Sequence, residues 1–273
     1  MAYEIDLSVL EEQDATESQK EIVEILRAHL HGEGSRHTSS SELADAIQQL
    51  GATKASRDAA SDFLWHLWMV VVDFAYLIPP DHPWQGTLIG AIQTLRQTGG
   101  LIVATEETKE PLLWKDLPHL AEYMLDKWFD PTELDEWTLD NVAAWKNLNS
   151  FAAGLTTEDF APWLNFPVWQ LQSALDESPD KGIILESRLW VATEWVIRCG
   201  SLVFQDMISS RPHDDAVEEA TEGQGLGKLR LWKKRFSELF EDKERLGLDT
   251  VLVNRIEQTI KQMEEFETAG QVQ

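Results

Sequence analysis

Through most of the chain, apolar residues return at steps of three and four, the spacing of one face of an α-helix. The pattern is densest between residues 141 and 155. There Val142, Trp145, Asn149 and Ala152 share one face, and Ala144, Leu148, Phe151 and Leu155 make a second stripe beside it. A helix apolar over most of its circumference belongs in an interior. Its two asparagines are therefore conspicuous, because a buried amide must find hydrogen-bond partners. Asn147 and Asn149 lie about 200° apart around the helix axis, so one site cannot use both directly. Asn149 shares the Trp145 stripe and is the pocket candidate. Asn147 reads as a structural link to a loop.

The same spacing predicts a helix from Ser18 to His31, and another that starts at a Ser39/Glu42 capping box and stops at Gly51. A long helix from Lys54 to Ile78 is ended by Pro79-Pro80. Asp81 is the expected N-cap of the next, with Pro83 in its first turn and Gly99-Gly100 at its close. Asp116 and Pro118 are expected to open a helix with Leu120, Ala121, Met124, Leu125 and Trp128 facing inward. Helices follow over about Glu136–Leu155, Trp163–Asp176 and Ile183–Met207, then around Leu229–Leu239 and Leu252–Phe266. No strand pair competes. The expectation is an all-α fold, a single globular array of about ten helices around two or three mostly buried ones. Its expected parts are an acidic N-terminus at 1–16, a helical core at 17–208 and an acidic linker at 209–227. A C-terminal helix pair at 228–267 packs on the core, and a tail covers 268–273.

Composition narrows the chemistry. The 273 residues hold 48 acids against 23 bases, a formal charge of -25. That balance opposes nucleic-acid and anionic-lipid partners, which need clustered Lys and Arg. Cys199 is the only cysteine, so no intrachain disulfide can form, as in a reducing, cytoplasmic setting. No basic-then-apolar leader opens the chain, and the apolar run Phe63–Pro80 is too short and too polar to span a membrane. Asp214-Asp215-Ala-Val-Glu218-Glu219 looks superficially like an aspartate-rich magnesium motif, but it sits in the linker without an apolar face. No Cys/His metal spacing, phosphate loop or nucleophile elbow occurs, so neither a metal nor a cofactor is expected.

Tryptophan is the outlier, twelve against three tyrosines. Trp65, Trp68, Trp84, Trp145, Trp190 and Trp195 fall on inward or near-inward faces. They either fill the core or line an apolar pocket between helices. With them go four polar pocket candidates, His66, Asn149, Glu194 and Arg198. Glu194 and Arg198 stand four apart in the favoured order for a helical ion pair, with Trp190 one turn earlier. His66 and Asp73, seven apart, can share a face and pair. His119 with Glu122 and Tyr123 composes an acid–base candidate at a helix start, its plainer reading being a solvated face.

Several patterns together resemble a fungal family of uncharacterised proteins, the one labelled domain of unknown function 3632. They are Leu67-Trp68 leading to Pro79-Pro80, His82-Pro83-Trp84-Gln85-Gly86, Leu113-Trp114-Lys-Asp116-Leu117-Pro118, Trp145-Lys-Asn147-Leu148-Asn149-Ser-Phe151-Ala152, Trp190 to Gly200, and Leu231-Trp232-Lys-Lys-Arg235-Phe236. The resemblance runs over residues 60–265. It implies a soluble helical fungal protein, with a faint link to specialised metabolism, and no reaction, catalytic residue or cofactor. Two functions are expected on these grounds. The first is a non-enzymatic binding or interaction protein. The alternative is a cofactor-independent enzyme or carrier for an apolar small molecule, held in a Trp-lined pocket. The partner is accordingly an apolar small molecule or another protein.

Overall fold

The structure, a computed structural model, describes Ile5 and residues 15–30, 39–100, 102, 112–177, 182–209 and 224–270. Of the expected acidic N-terminus, residues 1–4 and 6–14, of the acidic linker, residues 210–223, and of the tail, residues 271–273 lie outside the described residues. The fold is all-α: eleven helices and no strand among the described residues. They are α1 (Glu17–Leu30), α2 (Ser40–Ala52), α3 (Arg57–Leu77), α4 (Pro83–Thr98), α5 (Leu120–Asp126), α6 (Leu139–Leu155), α7 (Asn165–Leu175), α8 (Ile183–Ser209), α9 (Gln224–Glu241), α10 (Lys243–Leu246) and α11 (Thr250–Gly270). By its contacts the chain divides into two compact units, Met1–Phe151 and Ala152–Gln273.

In the first unit α1 packs on α3, α2 lies along α4, and α5 docks on α3. The expected Ser39/Glu42 capping box is present at the start of α2. The α3 core face holds Phe63, Leu67, Trp68, Val71 and Phe74, all essentially without solvent exposure. In the second unit α8 is the axis, with α7, α9 and α11 packed on it. Gly247 ends α10 in the left-handed region at φ 70°, a conformation glycine adopts without steric cost.

The first unit also differs from expectation in three places. The N-cap of α4 is His82, whose Nδ1 accepts from Trp84 N, and not Asp81. Asp116 does not start α5; it ends a 3-10 turn at Trp114–Asp116. Leu117 and His119 then adopt φ 43° and 68°, which reverses the backbone before α5 can begin at Leu120. Leu125, expected inside, is 54% exposed. The buried face of α5 is Leu120, Tyr123 and Met124, and Leu125 stands about 100° round the helix from Met124.

The end of α3 carries a buried polar knot. The last carbonyls of a helix lack intrahelical partners, and the N–H that would answer Tyr76 O belongs to Pro80, which has none. Asn147 supplies the missing donor through Nδ2, 2.8 Å from Tyr76 O. Gln85, 1% exposed, donates through Nε2 to Ile78 O at 3.2 Å and to Asn147 O at 3.3 Å. Ser150 Oγ donates to Gln85 Oε1 at 2.9 Å. Asn147 is thus structural as expected, although its partner is a helix end and not a loop.

Asn147→Ala is expected to lower unfolding free energy by about 1–3 kcal/mol, because it strands the Tyr76 carbonyl. Urea titration followed by tryptophan fluorescence measures this; an unchanged midpoint would remove Asn147 from the knot.

Candidate functional site

Each unit holds one cluster of side chains with candidate chemistry. In the first unit it lies where α3 meets the turn before α5. Ser61 Oγ sits 2.9 Å from His119 Nε2, and His119 Nδ1 sits 3.2 Å from Glu122 Oε2. A carboxylate only accepts, so Nδ1 carries the hydrogen of that contact, and in the neutral ring Nε2 is then free to accept from the Ser61 hydroxyl. Trp65, one turn after Ser61 on α3, meets the His119 ring edge-on at 6.0 Å and the Tyr123 ring at 5.5 Å. The turn is clamped from two sides. Trp68 Nε1 donates to Pro118 O at 2.6 Å, and Arg96 Nε donates to Lys115 O at 3.1 Å. These anchors hold Leu117 and His119 in left-handed conformations that side-chain-bearing residues avoid. Of the expected group, His119 and Glu122 are in contact, while the Tyr123 ring meets Trp65. Ser61 is the member that sequence reading missed. Its signal was faint: it stands one turn before Trp65, on the face α3 turns to α5.

The other pocket candidates of the first unit have separate neighbours. His66 Nδ1 is buried without a hydrogen-bond partner. Asp73 acts elsewhere: after burial itself, its charge is the second cause that pushes the Tyr76 phenol up to about 12. Trp84 packs edge-on against His82 at 4.9 Å. Trp145 meets Trp128 at 5.0 Å, and Asn149 Nδ2 donates to Trp145 O at 2.9 Å within its own helix.

In the second unit Trp190, Glu194 and Arg198 come together as their spacing predicts. The Glu194 side chain is almost wholly buried and accepts from Arg198 Nε. Arg255, from α11, adds a second guanidinium: its Nη2 donates to the other Glu194 oxygen and its Nε to Thr193 Oγ1 at 3.1 Å. Arg255 Cζ also lies 4.5 Å over the Trp190 ring, in cation–π geometry. Thr193 Oγ1 donates in turn to Trp190 O at 2.8 Å. One carboxylate between two guanidiniums leaves a net positive cluster. Arg255 also escaped sequence reading; a charged residue directly beside the inner stripe Leu252–Ile256 was the available hint.

One turn further, α8 kinks at Cys199, where φ is -144° and ψ is 25°. A cleft of about 410 Å³ opens there, lined among others by Thr157, Glu158, Arg198, Cys199, Gln262 and Glu265. Val196 through Leu202 all border it. Successive residues of a regular helix turn by about 100°, so only a distorted turn can present seven in a row. The Cys199 thiol donates to Trp195 O at 3.4 Å. Burial, the largest influence, pushes it up to about 12, so it stays protonated at neutral pH and is a poor nucleophile. Tryptophan lines neither this cleft nor a second one of about 340 Å³ between α7 and α9.

Among the described residues, no three His, Cys, Asp or Glu side chains converge as a metal would require, and no helix is long and apolar enough to cross a membrane. A family model described as "Protein of unknown function (DUF3632)" matches residues 68–236, which include His119, Glu122 and the Glu194/Arg198 pair but not Ser61 or Arg255. No curated protein and no solved structure matches the chain.

Glu194→Ala is expected to cost about 1–3 kcal/mol, because it removes the charge-assisted bonds of Arg198 and Arg255, whose side chains stay partly open to water. Thermal unfolding reads this out; a melting temperature within a degree or two of the parent would mean that the cluster does not hold α8 to α11.

Proposed function

The chain belongs to the protein family of unknown function DUF3632, and we propose that its principal role is non-enzymatic recognition of another protein. One observation carries this reading. Among the described residues, four of the nine exposed large apolar side chains fall within one stretch: Leu125 at 54%, Phe129 at 49%, Leu134 at 52% and Leu139 at 64%. Consecutive members are at most five residues apart, which keeps each within about 18 Å of the next. Isolated exposed leucines are ordinary, whereas a concentrated group marks a contact surface. Asp126, Glu133, Asp135, Glu136 and Asp140, all exposed, are interspersed with them along the chain, and Lys127 is the only base between 125 and 140. Exposed apolar anchors among acids complement a basic amphipathic segment of a partner protein. The chain's charge of -25 would speed the encounter with such a segment. A reducing, cytoplasmic setting suits the single buried Cys199.

A second reading, a cofactor-independent enzyme or carrier for an apolar small molecule in fungal specialised metabolism, draws support from the contact of Ser61 with His119 beside Trp65.

The first reading is tested with a synthetic helix-forming Lys/Leu peptide, with apolar residues at positions i, i+3, i+4 and i+7, and with a scrambled peptide of equal charge. Binding is expected for the amphipathic peptide alone. It should weaken at least about tenfold in a Leu134→Ser/Leu139→Ser double variant. Equal binding of the scrambled peptide, or an unaffected double variant, would overturn the assignment. So would self-association that the same double variant abolishes, since it would give the face to a second copy of the chain.

A further inference from the structure

Ser61, His119 and Glu122 have the connectivity that activates a serine hydroxyl, and we propose that Ser61 is an acyl-accepting nucleophile for small, activated, apolar acyl donors. The inference rests on the second reading above and names its chemistry. Three observations carry it. The first is the chain of contacts: nucleophile to base at 2.9 Å, base to carboxylate at 3.2 Å. That is hydrogen-bond reach for a hydroxyl, an imidazole and its orienting group. The second is the backbone. The two non-glycine residues with positive φ among those described, Leu117 and His119, flank Pro118. Strain of this kind persists only where the surroundings impose it. Here Trp68 and Arg96 impose it through the carbonyls of Pro118 and Lys115, and the result is to aim the His119 ring at another helix. The third is access. His119 is 29% exposed and Ser61 is half-buried, so an acyl group can reach Ser61 while Trp65 offers it an apolar wall.

The step balances without an added co-reactant. Ser61 Oγ attacks the acyl carbon as His119 Nε2 takes the hydroxyl proton. The bond to the leaving oxygen breaks, and His119 returns that proton to the departing alcohol or phenol. Acyl-Ser61 remains, and attack by water with the same base regenerates the serine. Glu122 touches none of the reacting atoms. It is a positioning residue that holds the Nδ1–H tautomer, and at 73% exposure its charge is screened by water. The half-open position leaves the developing oxyanion to solvent rather than to fixed donors, which confines the chemistry to activated donors.

The test uses the full chain with an alkyl fluorophosphonate and with p-nitrophenyl butyrate. Intact and peptide mass spectrometry are expected to find one phosphonate adduct, on Ser61, and ester cleavage to follow the same variants. Ser61→Ala should abolish the adduct. His119→Asn, which tolerates the left-handed backbone, should slow labelling at least about tenfold. Glu122→Gln should slow it severalfold at an unchanged melting temperature, which a purely structural role would not do. No adduct, an adduct elsewhere, or labelling of His119→Asn at the parent rate would overturn the proposal. Native mass spectrometry with a non-reactive apolar ketone separates the two levels. Retention of the ketone without any adduct sinks the nucleophile and keeps the second reading, whereas an adduct without retention does the reverse.

Discussion

Glu194 takes a full negative charge into the interior of residues 152–273, and two guanidiniums from two helices answer it. A carboxylate out of water is costly unless paired and hydrogen-bonded. Arg198 alone would pair it within α8 and tie nothing together. Arg255 turns a local ion pair into a tie between α8 and α11, and the same side chain stacks on Trp190 and bonds Thr193. The positions of Trp190, of Arg198 at the cleft and of α11 all follow from that shared carboxylate. The kink at Cys199 begins one residue beyond Arg198, so the cleft opens beside a fixed point and not along a free helix.

The first unit meets a related problem with neutral groups. Pro79-Pro80 ends α3 cleanly but removes the amides that would have closed its last turn. Asn147 from α6 answers Tyr76 O in their place, Gln85 from α4 donates to Ile78 O, and Ser150 holds the Gln85 amide. In both units, some of the polar residues that interrupt an apolar face link helices, as Asn147, Gln85 and Glu194 do, whereas Asn149 bonds within its own helix. Most of the polar residues that stood out for their chemistry are bonded within the fold. His119 departs from this rule, because the groups it bonds are partly open to solvent.

The helices themselves were legible because their signals are local: period, caps, prolines and glycines. The pairing of Glu194 with Arg198 was legible for the same reason, since four residues on a helix fix the geometry. Arg255 lies 61 residues from Glu194 and Ser61 lies 58 from His119, and no periodic rule spans such distances. Leu125 went wrong through the same limit. Its spacing left open which edge of the stripe faces inward; the buried face runs through Leu120, Tyr123 and Met124, and Leu125 falls on the outer side. Tryptophan spacing showed which rings face inward but not what they touch; Trp190 faces an arginine and Trp65 a histidine.

The central claim is that polar residues set into apolar faces work as helix-to-helix links. A double-mutant cycle on Glu194→Gln and Arg255→Met, followed by urea unfolding, tests it most directly. The account predicts a coupling energy of about 1–3 kcal/mol between the two sites. Additive effects, with a coupling below about 0.5 kcal/mol, would contradict it.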